Sequence, residues 1–217
     1  QLLFAALFLL LAAPFAPAQN SSALINETLD KLVALDIPNQ TIPQAIKTIA
    51  DATGVRVEVA PAVYALLPWG EQTTIHAKIE NQTLRGALEA ITRKLGLTFE
   101  LKDEYVELEP LPALARLGRR ANVDELGVLD LLSRTPLDSS ADHLSVKQLL
   151  TDVDAKLKAA NSPFAVENRA FADNASAVQI PVSRNMTLLD AMEAIPQNTD
   201  ATWYPWGNTL VVRPKVD

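Results

Sequence analysis

The sequence nearly repeats itself at a spacing of 104 residues, and this repeat limits the available folds more than any other feature. Residues 81–91 read NQTLRGALEAI and residues 185–195 read NMTLLDAMEAI. The match continues without a gap, so that Phe99 corresponds to Trp203. An ungapped internal match of this kind indicates two copies of one small fold.

Hydrophobic periodicity in the first copy predicts the order strand, helix, strand, strand, helix, strand, strand. The two helices start after the N-cap residues Thr41 and Thr83 and end at Gly54 and Gly96. The predicted strands are 31–37, 55–59, 75–79, 97–101 and 105–108, with Pro38 ending the first and a loop containing Pro61 and Pro68 preceding the third. These elements predict the fold class α+β, as two tandem small βαββαββ modules.

The second copy follows the same order with two departures. Residues 128–132 (VLDLL) are predicted as its first strand, and its first helix follows Ser145. The strand at 178–182 is one residue out of phase with the strand at 75–79, and a one-residue slip exchanges the two faces of a strand. Pro196 stands inside the second helix of this copy and should shorten or bend it.

These patterns predict an organisation of leader, module, linker and module. We expect a signal peptide over 1–18, a first module over 24–110 and a second module over 128–217. Residues 111–127 between the modules are predicted to be a linker with a short helix or arm.

The N-terminal segment predicts export. Residues 1–19 carry no charge, residues 2–13 are continuously apolar, and Ala16 and Ala18 form a small-x-small cleavage pattern. The apolar run is shorter than the roughly 20 residues of a membrane span, and an uncleaved membrane anchor is the alternative. The positive n-region and the initiator Met are missing, so we do not expect Gln1 to be the true start. Without cysteine the leader is not that of a lipoprotein, and the expected location is the periplasm or cell envelope of a Gram-negative-type bacterium.

Composition excludes several classes of chemistry. The absence of cysteine excludes disulfides, thiolate catalysis and Cys-based zinc sites. A net charge of −7 argues against a nucleic-acid binder, which needs a basic face. The chain has two histidines, His76 and His143, and lacks the motifs that bind cofactors or metals, so we predict no cofactor, no metal site and no catalysis. The catalytic alternative is a hydrolase that uses Asp142 and His143.

The first copy also carries a family resemblance. Residues 36–59 (DIPNQTIPQAIKTIADATGVRVEV) and residues 81–100 (NQTLRGALEAITRKLGLTFE) resemble the short N-terminal domain of secretins and TonB-dependent receptors. Residues 128–217 resemble a diverged second copy of that domain. The resemblance implies a small periplasmic domain that contacts envelope proteins. The implied partners are an outer-membrane secretin or receptor, or an inner-membrane assembly component.

Aromatic residues are the first group of candidate interaction residues. Trp203 corresponds to Phe99 and is predicted to be core, whereas Tyr204 and Trp206 alternate away from it, and Trp69 lies in a loop. Exposed aromatics are typical anchors of protein interfaces. They also stack on sugar rings, so a carbohydrate or peptidoglycan binder is the alternative. A third hypothesis is that they pack under the neighbouring copy or loop.

Arg116, Arg119 and Arg120 form the second group, a basic cluster in an acidic chain. The functional interpretation is docking to an acidic partner or to phospholipid headgroups. The alternative is that these arginines belong to a solvated linker.

Overall fold

The computed structural model describes residues 21–171 and 175–215, so the predicted signal peptide lies outside the described residues. Helices and small sheets are mixed along the chain, which confirms the α+β fold class. The helices are α1 Ser21–Leu29, α2 Ile42–Thr53, α3 Pro61–Leu66, α4 Leu84–Lys94, α5 Pro112–Ala115, α6 Val123–Arg134, α7 Val146–Ala159 and α8 Leu188–Asn198. The strands are β1 Leu32–Thr41, β2 Val57–Val59, β3 Thr74–Thr83, β4 Leu97–Leu101, β5 Val106–Pro110, β6 His143–Ser145, β7 Ala165–Asn168, β8 Gln179–Pro181, β9 Ala201–Trp206 and β10 Thr209–Pro214.

The first half contains a two-stranded ribbon and a three-stranded sheet. In the ribbon β1 pairs with β3 in antiparallel fashion, and in the sheet β5 lies between β2 and β4, parallel to β2 and antiparallel to β4. The prediction that Pro38 ends β1 is wrong, because the strand passes through an irregularity at Pro38 and Asn39 and continues to Thr41. Asn39 has a φ of 48°, a left-handed conformation that asparagine tolerates better than most residues.

The helices of the first half begin and end largely where the sequence predicts. Thr41 and Thr83 are the N-caps of α2 and α4, and Gly54 ends α2 with a φ of 73°. The predicted loop around Pro61 is wrong, because Pro61 instead starts α3. Proline is well suited to the first helical position, where no hydrogen bond needs its N–H.

The second half has sheets of the same order and direction. Its three-stranded sheet has β10 between β7 and β9, parallel to β7 and antiparallel to β9. Trp203 lies opposite Val212, 104 residues after the pairing of Phe99 with Leu108. The ribbon is much shorter, because β6 and β8 pair over three residues each.

The out-of-phase strand is confirmed by the register of the second ribbon. Gln40 pairs with Ile75 in the first half, and a shift of 104 residues would place Leu144 opposite Gln179. Leu144 instead pairs with Ile180, one residue further along. Of the two effects predicted for Pro196, the shortening is wrong, because α8 and α4 have the same length of 11 residues, and the bend stays a prediction.

The middle of the chain differs most from the sequence prediction. The strand predicted over 128–132 is wrong, because these residues lie within α6. The start of α6 is stabilised by a capping box, in which the Asn122 side chain accepts from the Glu125 N–H and the Glu125 carboxylate accepts from the Asn122 N–H. This local signal fixes a helix where the apolar run alone is ambiguous.

Helix α6 packs between α4 and α8 and so joins the two halves. Gly96, with a φ of 65°, permits this contact, because a Cβ atom there would lie 3.2 Å from Leu126 Cδ2 and 3.2 Å from Leu129 Cδ1. Buried apolar side chains from both halves form one continuous cluster. In the part of the chain that the structure describes, no helix has the length and apolarity needed to cross a bilayer.

Candidate interaction surface

Arg116 lies at the end of α5 and connects it to the second half. Its guanidinium is paired with the Glu193 carboxylate of α8, with Arg116 Nη1 3.0 Å from Glu193 Oε1. The same Nη1 donates to the Trp203 carbonyl oxygen at 3.0 Å, and the guanidinium lies 5.9 Å from the centre of the Trp203 ring. Because these contacts hold its side chain against the second half, the interpretation of Arg116 as part of a solvated linker is wrong, and its role in docking stays a prediction.

Arg119 forms a two-pronged ion pair with Glu125, with N–O distances of 2.7 and 3.0 Å. The Glu125 side chain is fully buried, while that of Arg119 is 37% exposed. Glu125 also accepts hydrogen bonds from the backbone N–H groups of Asn122 and Gly207, each at 2.9 Å. Burial acts to raise the pKa of Glu125, but the bonds from Arg119, Asn122 and Gly207 outweigh it and hold the pKa below its ordinary value.

Gly207 belongs to the turn between β9 and β10, so Glu125 ties the start of α6 to that turn. We call this arrangement the Glu125 lock, made of Glu125, Arg119, the Asn122 N–H and the Gly207 N–H. A buried carboxylate needs such compensation, because an unpaired charge in the interior is strongly destabilising. The interpretation of Arg119 as part of a solvated linker is therefore wrong.

The aromatic side chains beside the lock are capped by arginines. The Arg119 guanidinium lies 4.2 Å from the centre of the Trp206 ring, within the range of a cation–π contact. Trp206 meets Tyr204 edge to face at 6.1 Å, and Arg213 lies 5.1 Å from the Tyr204 ring centre. Tyr204 is half-buried, whereas Trp206 is 50% exposed.

Arg120 extends this surface to the first half of the chain. Its Nη1 donates to the Pro68 carbonyl oxygen at 3.3 Å, next to the Trp69 side chain, which is 59% exposed. Gly70 follows with a φ of 58°, and a Cβ atom there would lie 3.3 Å from both terminal nitrogens of Arg120. Arg119 contacts the Trp206 ring and Arg120 contacts the Pro68 carbonyl, so two neighbouring residues connect Trp206 to the loop that carries Trp69.

We call the resulting patch the Trp–Arg surface, composed of Trp69, Arg119, Arg120, Tyr204, Trp206 and Arg213. Five of the six residues predicted from the sequence belong to it, whereas Arg116 contacts Glu193 and Trp203 instead. The hypothesis that the aromatics pack under neighbouring elements is wrong for Trp69 and Trp206, which are exposed. Trp203 is fully buried, which confirms its prediction as core.

Sequence reasoning missed Glu125 and Arg213. The spacing of Asn122 and Glu125 is that of a capping box and offered a signal for the former. No sequence pattern marks Arg213, because its contact with Tyr204 forms only when β9 pairs with β10.

The residues of the hydrolase alternative lie apart from this surface. His143 is exposed on β6 opposite Pro181, and the backbone carbonyl of Asp142 accepts from the Val182 N–H at 2.9 Å. His76 is exposed on β3, as its position in an alternating strand predicts. Within residues 21–171 and 175–215, no cluster of three or more His, Asp or Glu side chains is arranged to hold a metal ion.

Comparison with known proteins found no match among protein-family models, curated proteins or solved structures. The resemblance to the short N-terminal domain of secretins and TonB-dependent receptors therefore stays a prediction from the sequence.

Proposed function

We propose that this chain is a non-catalytic, two-module protein of the bacterial cell envelope that binds a partner protein through the Trp–Arg surface. The observation that carries the proposal is that Arg119 contacts Trp206 while the adjacent Arg120 bonds the loop of Trp69, which brings exposed aromatic residues of different halves next to one arginine pair. Tryptophan, tyrosine and arginine dominate the energetics of protein interfaces, and here all three types are at least partly accessible on one patch.

The two-module part of the proposal is supported by strand pairing. The sheets β2-β5-β4 and β7-β10-β9 have the same order and directions. The hydrogen bond from the Leu84 N–H to the Lys31 carbonyl has its counterpart 104 residues later, from the Leu188 N–H to the Thr135 carbonyl. We infer that the two halves diverged from one ancestral unit, which accounts for the ungapped match that begins at residues 81 and 185.

A protein partner is favoured over a carbohydrate. Sugar rings stack on open aromatic faces, whereas Arg119 covers one face of Trp206 and Arg213 lies over Tyr204. A guanidinium held over an indole presents charge and apolar area together, and this suits a peptide surface with carboxylate and apolar side chains.

The envelope location and the class of partner rest on the predicted leader and on the family resemblance. We propose an envelope component as the partner, either an outer-membrane secretin or receptor or an inner-membrane assembly protein. The net charge of −7 and the absence of cysteine are compatible with an exported protein.

Photo-crosslinking in the native host tests this proposal. A photoreactive amino acid replaces Trp69 or Trp206 in the full chain, and a third variant carries it at Leu32, which is 70% exposed on β1 and lies outside the Trp–Arg surface. We expect positions 69 and 206 to crosslink to the same envelope protein and position 32 not to do so. Crosslinking at 69 and 206 no greater than at 32 would overturn the proposal, and crosslinks to peptidoglycan would favour the carbohydrate alternative.

A further inference from the structure

A second surface with binding chemistry lies along β3 in the first half. In the described residues β3 pairs along one edge only, with β1, so its other edge carries no strand. An open strand edge presents unpaired backbone N–H and C=O groups, and these recruit an extended chain as an added strand. The strand is 10 residues long, so its open edge is long enough for such an addition.

A groove follows this edge. Its volume is about 360 Å³, and six consecutive residues of β3, residues 74–79, form one wall. The opposite wall comes from the second half of α4, including Ile91, and from Leu95 directly after it. Because consecutive strand residues line it, the groove runs along the backbone edge and covers about 20 Å at 3.3 Å per residue. We call it the β3 groove.

The charge of the β3 groove opposes that of the chain. Its lining includes His76, Lys78, Arg93 and Lys94 and contains no carboxylate, although the chain as a whole has a net charge of −7. Lys78 is paired with Glu80 and Arg93 with Asp130, at 3.0 and 2.7 Å. Lys94 is exposed at the end of α4 and has no carboxylate within 4 Å among the described residues.

In the second half β8 also pairs along one edge only, with β6, but it is poorly suited to strand addition. Strand β8 has three residues, and Pro181 is one of them. Proline has no N–H to donate and is one of the residues that block strand addition at an exposed edge. A long edge strand without proline is therefore present in the first half, at β3, and not at β8.

We propose that the β3 groove binds an extended acidic peptide segment of a partner protein, which adds to β3 as a further strand and places a carboxylate beside Lys94. The apolar side chains of the segment would point at Ile91 and Leu95, while its alternate residues face outward. The site is separate from the Trp–Arg surface, since the two share no residue.

Peptide libraries test the proposal on the full chain. One library of nine-residue peptides fixes Asp or Glu at two positions, and a matched library fixes Lys or Arg at the same two positions. We expect selection to return binders from the acidic library only. Backbone amide NMR signals of residues 74–79 and 90–95 should shift on binding, and those of β8 should not. No retained acidic peptide, or shifts elsewhere, would overturn the proposal.

Two sets of variants separate strand addition from simple charge attraction. Lys94→Glu should weaken the selected peptide about tenfold, whereas Lys147→Glu, an exposed lysine on α7, should leave its affinity unchanged. N-methylation of alternate peptide residues should abolish binding in one of the two alternating sets and be tolerated in the other. Equal effects of both lysine variants, or tolerance of both methylated sets, would contradict the proposal. Equal loss from both methylated sets contradicts it too, because a strand bonded along one edge uses every second N–H.

Discussion

The hairpins β4–β5 and β9–β10 have the same register and different surroundings. Leu97 pairs with Pro110 in the first, and Ala201 pairs with Pro214 in the second, 104 residues later. The first turn is exposed, and Lys102 next to it forms ion pairs with Glu100, Glu107 and Glu109. The second turn is held by the Glu125 lock and carries Trp206 at its start.

The difference shows that two hairpins with the same register can differ in how firmly their turns are held in the fold. The ion pairs of the first hairpin are partly exposed to solvent, where such contacts contribute little to folding. The lock of the second hairpin contains a fully buried carboxylate, and its Arg119 is also the residue that covers Trp206. The same arginine thus stabilises the fold and shapes the proposed interface. Variants in the two hairpins should therefore have unequal effects.

The largest effect is expected from Glu125→Gln. The amide removes the charge that compensates Arg119 and weakens the bonds from Asn122 and Gly207, so we expect a loss of about 2–3 kcal/mol in the free energy of unfolding. The figure is at the low end for buried pairs because Arg119 is partly exposed. Urea denaturation measures it, with the exposed Glu89→Gln as matched control. Equal midpoints for the two variants would show that the lock does not stabilise the fold.

Acid should act through the same residue. The pKa of Glu125 is lowered in the folded state from an ordinary value of 4.5, so the stability that its carboxylate supplies is present above about pH 4.5. It is lost as the pH falls through the folded-state pKa. The difference in unfolding free energy between the native chain and Glu125→Gln should therefore shrink as the pH drops from 5 towards 3. A difference that stays constant over that range would contradict the assignment.

A smaller effect is expected from Trp203→Phe. This substitution gives the second hairpin a phenylalanine at the position where the first hairpin has Phe99. Trp203 is fully buried, and the smaller ring leaves a void, so we expect a loss of about 1–2 kcal/mol. The indole Nε1 has no hydrogen-bond partner among the described residues, so no bond is lost with it. Phe99 is half-buried, so Phe99→Leu should lower the free energy of unfolding by less in the same urea titration. A larger loss for Phe99→Leu than for Trp203→Phe would argue against the comparison of the two hairpins.

The smallest effect is expected from Lys102→Met in the first hairpin. Its three ion pairs with Glu100, Glu107 and Glu109 are partly exposed to solvent, so we expect a loss in the free energy of unfolding by urea denaturation that is smaller than the loss from Trp203→Phe. A loss as large as that of Glu125→Gln would remove the distinction between an exposed and a buried turn.

Local signals explain which elements the sequence predicts. Threonine caps and C-terminal glycines mark α2 and α4, and alternation marks both hairpins, because these features act within a few residues. The apolar run within α6 predicts a strand, since a short apolar run fits either state. The sequence patterns predict neither α1 nor α3.

The sequence predicts most residues of the candidate site, but it does not predict which of them contact one another. Exposed aromatics and an arginine run can be recognised in a sequence. Their assembly cannot, because Arg116 and Glu193 are 77 residues apart and Glu125 and Gly207 are 82 apart. Only the folded chain shows that Arg119 both pairs with Glu125 and covers Trp206.

The central claim is that Trp69 and Trp206 form one protein-binding surface. The most direct measurement is the affinity of the crosslinked envelope protein for the native chain and for Trp69→Ala, Trp206→Ala and Leu32→Ala. We predict that each tryptophan variant weakens binding about tenfold or more while Leu32→Ala does not, with all variants folded by circular dichroism. Affinities of both tryptophan variants equal to that of Leu32→Ala would contradict the account.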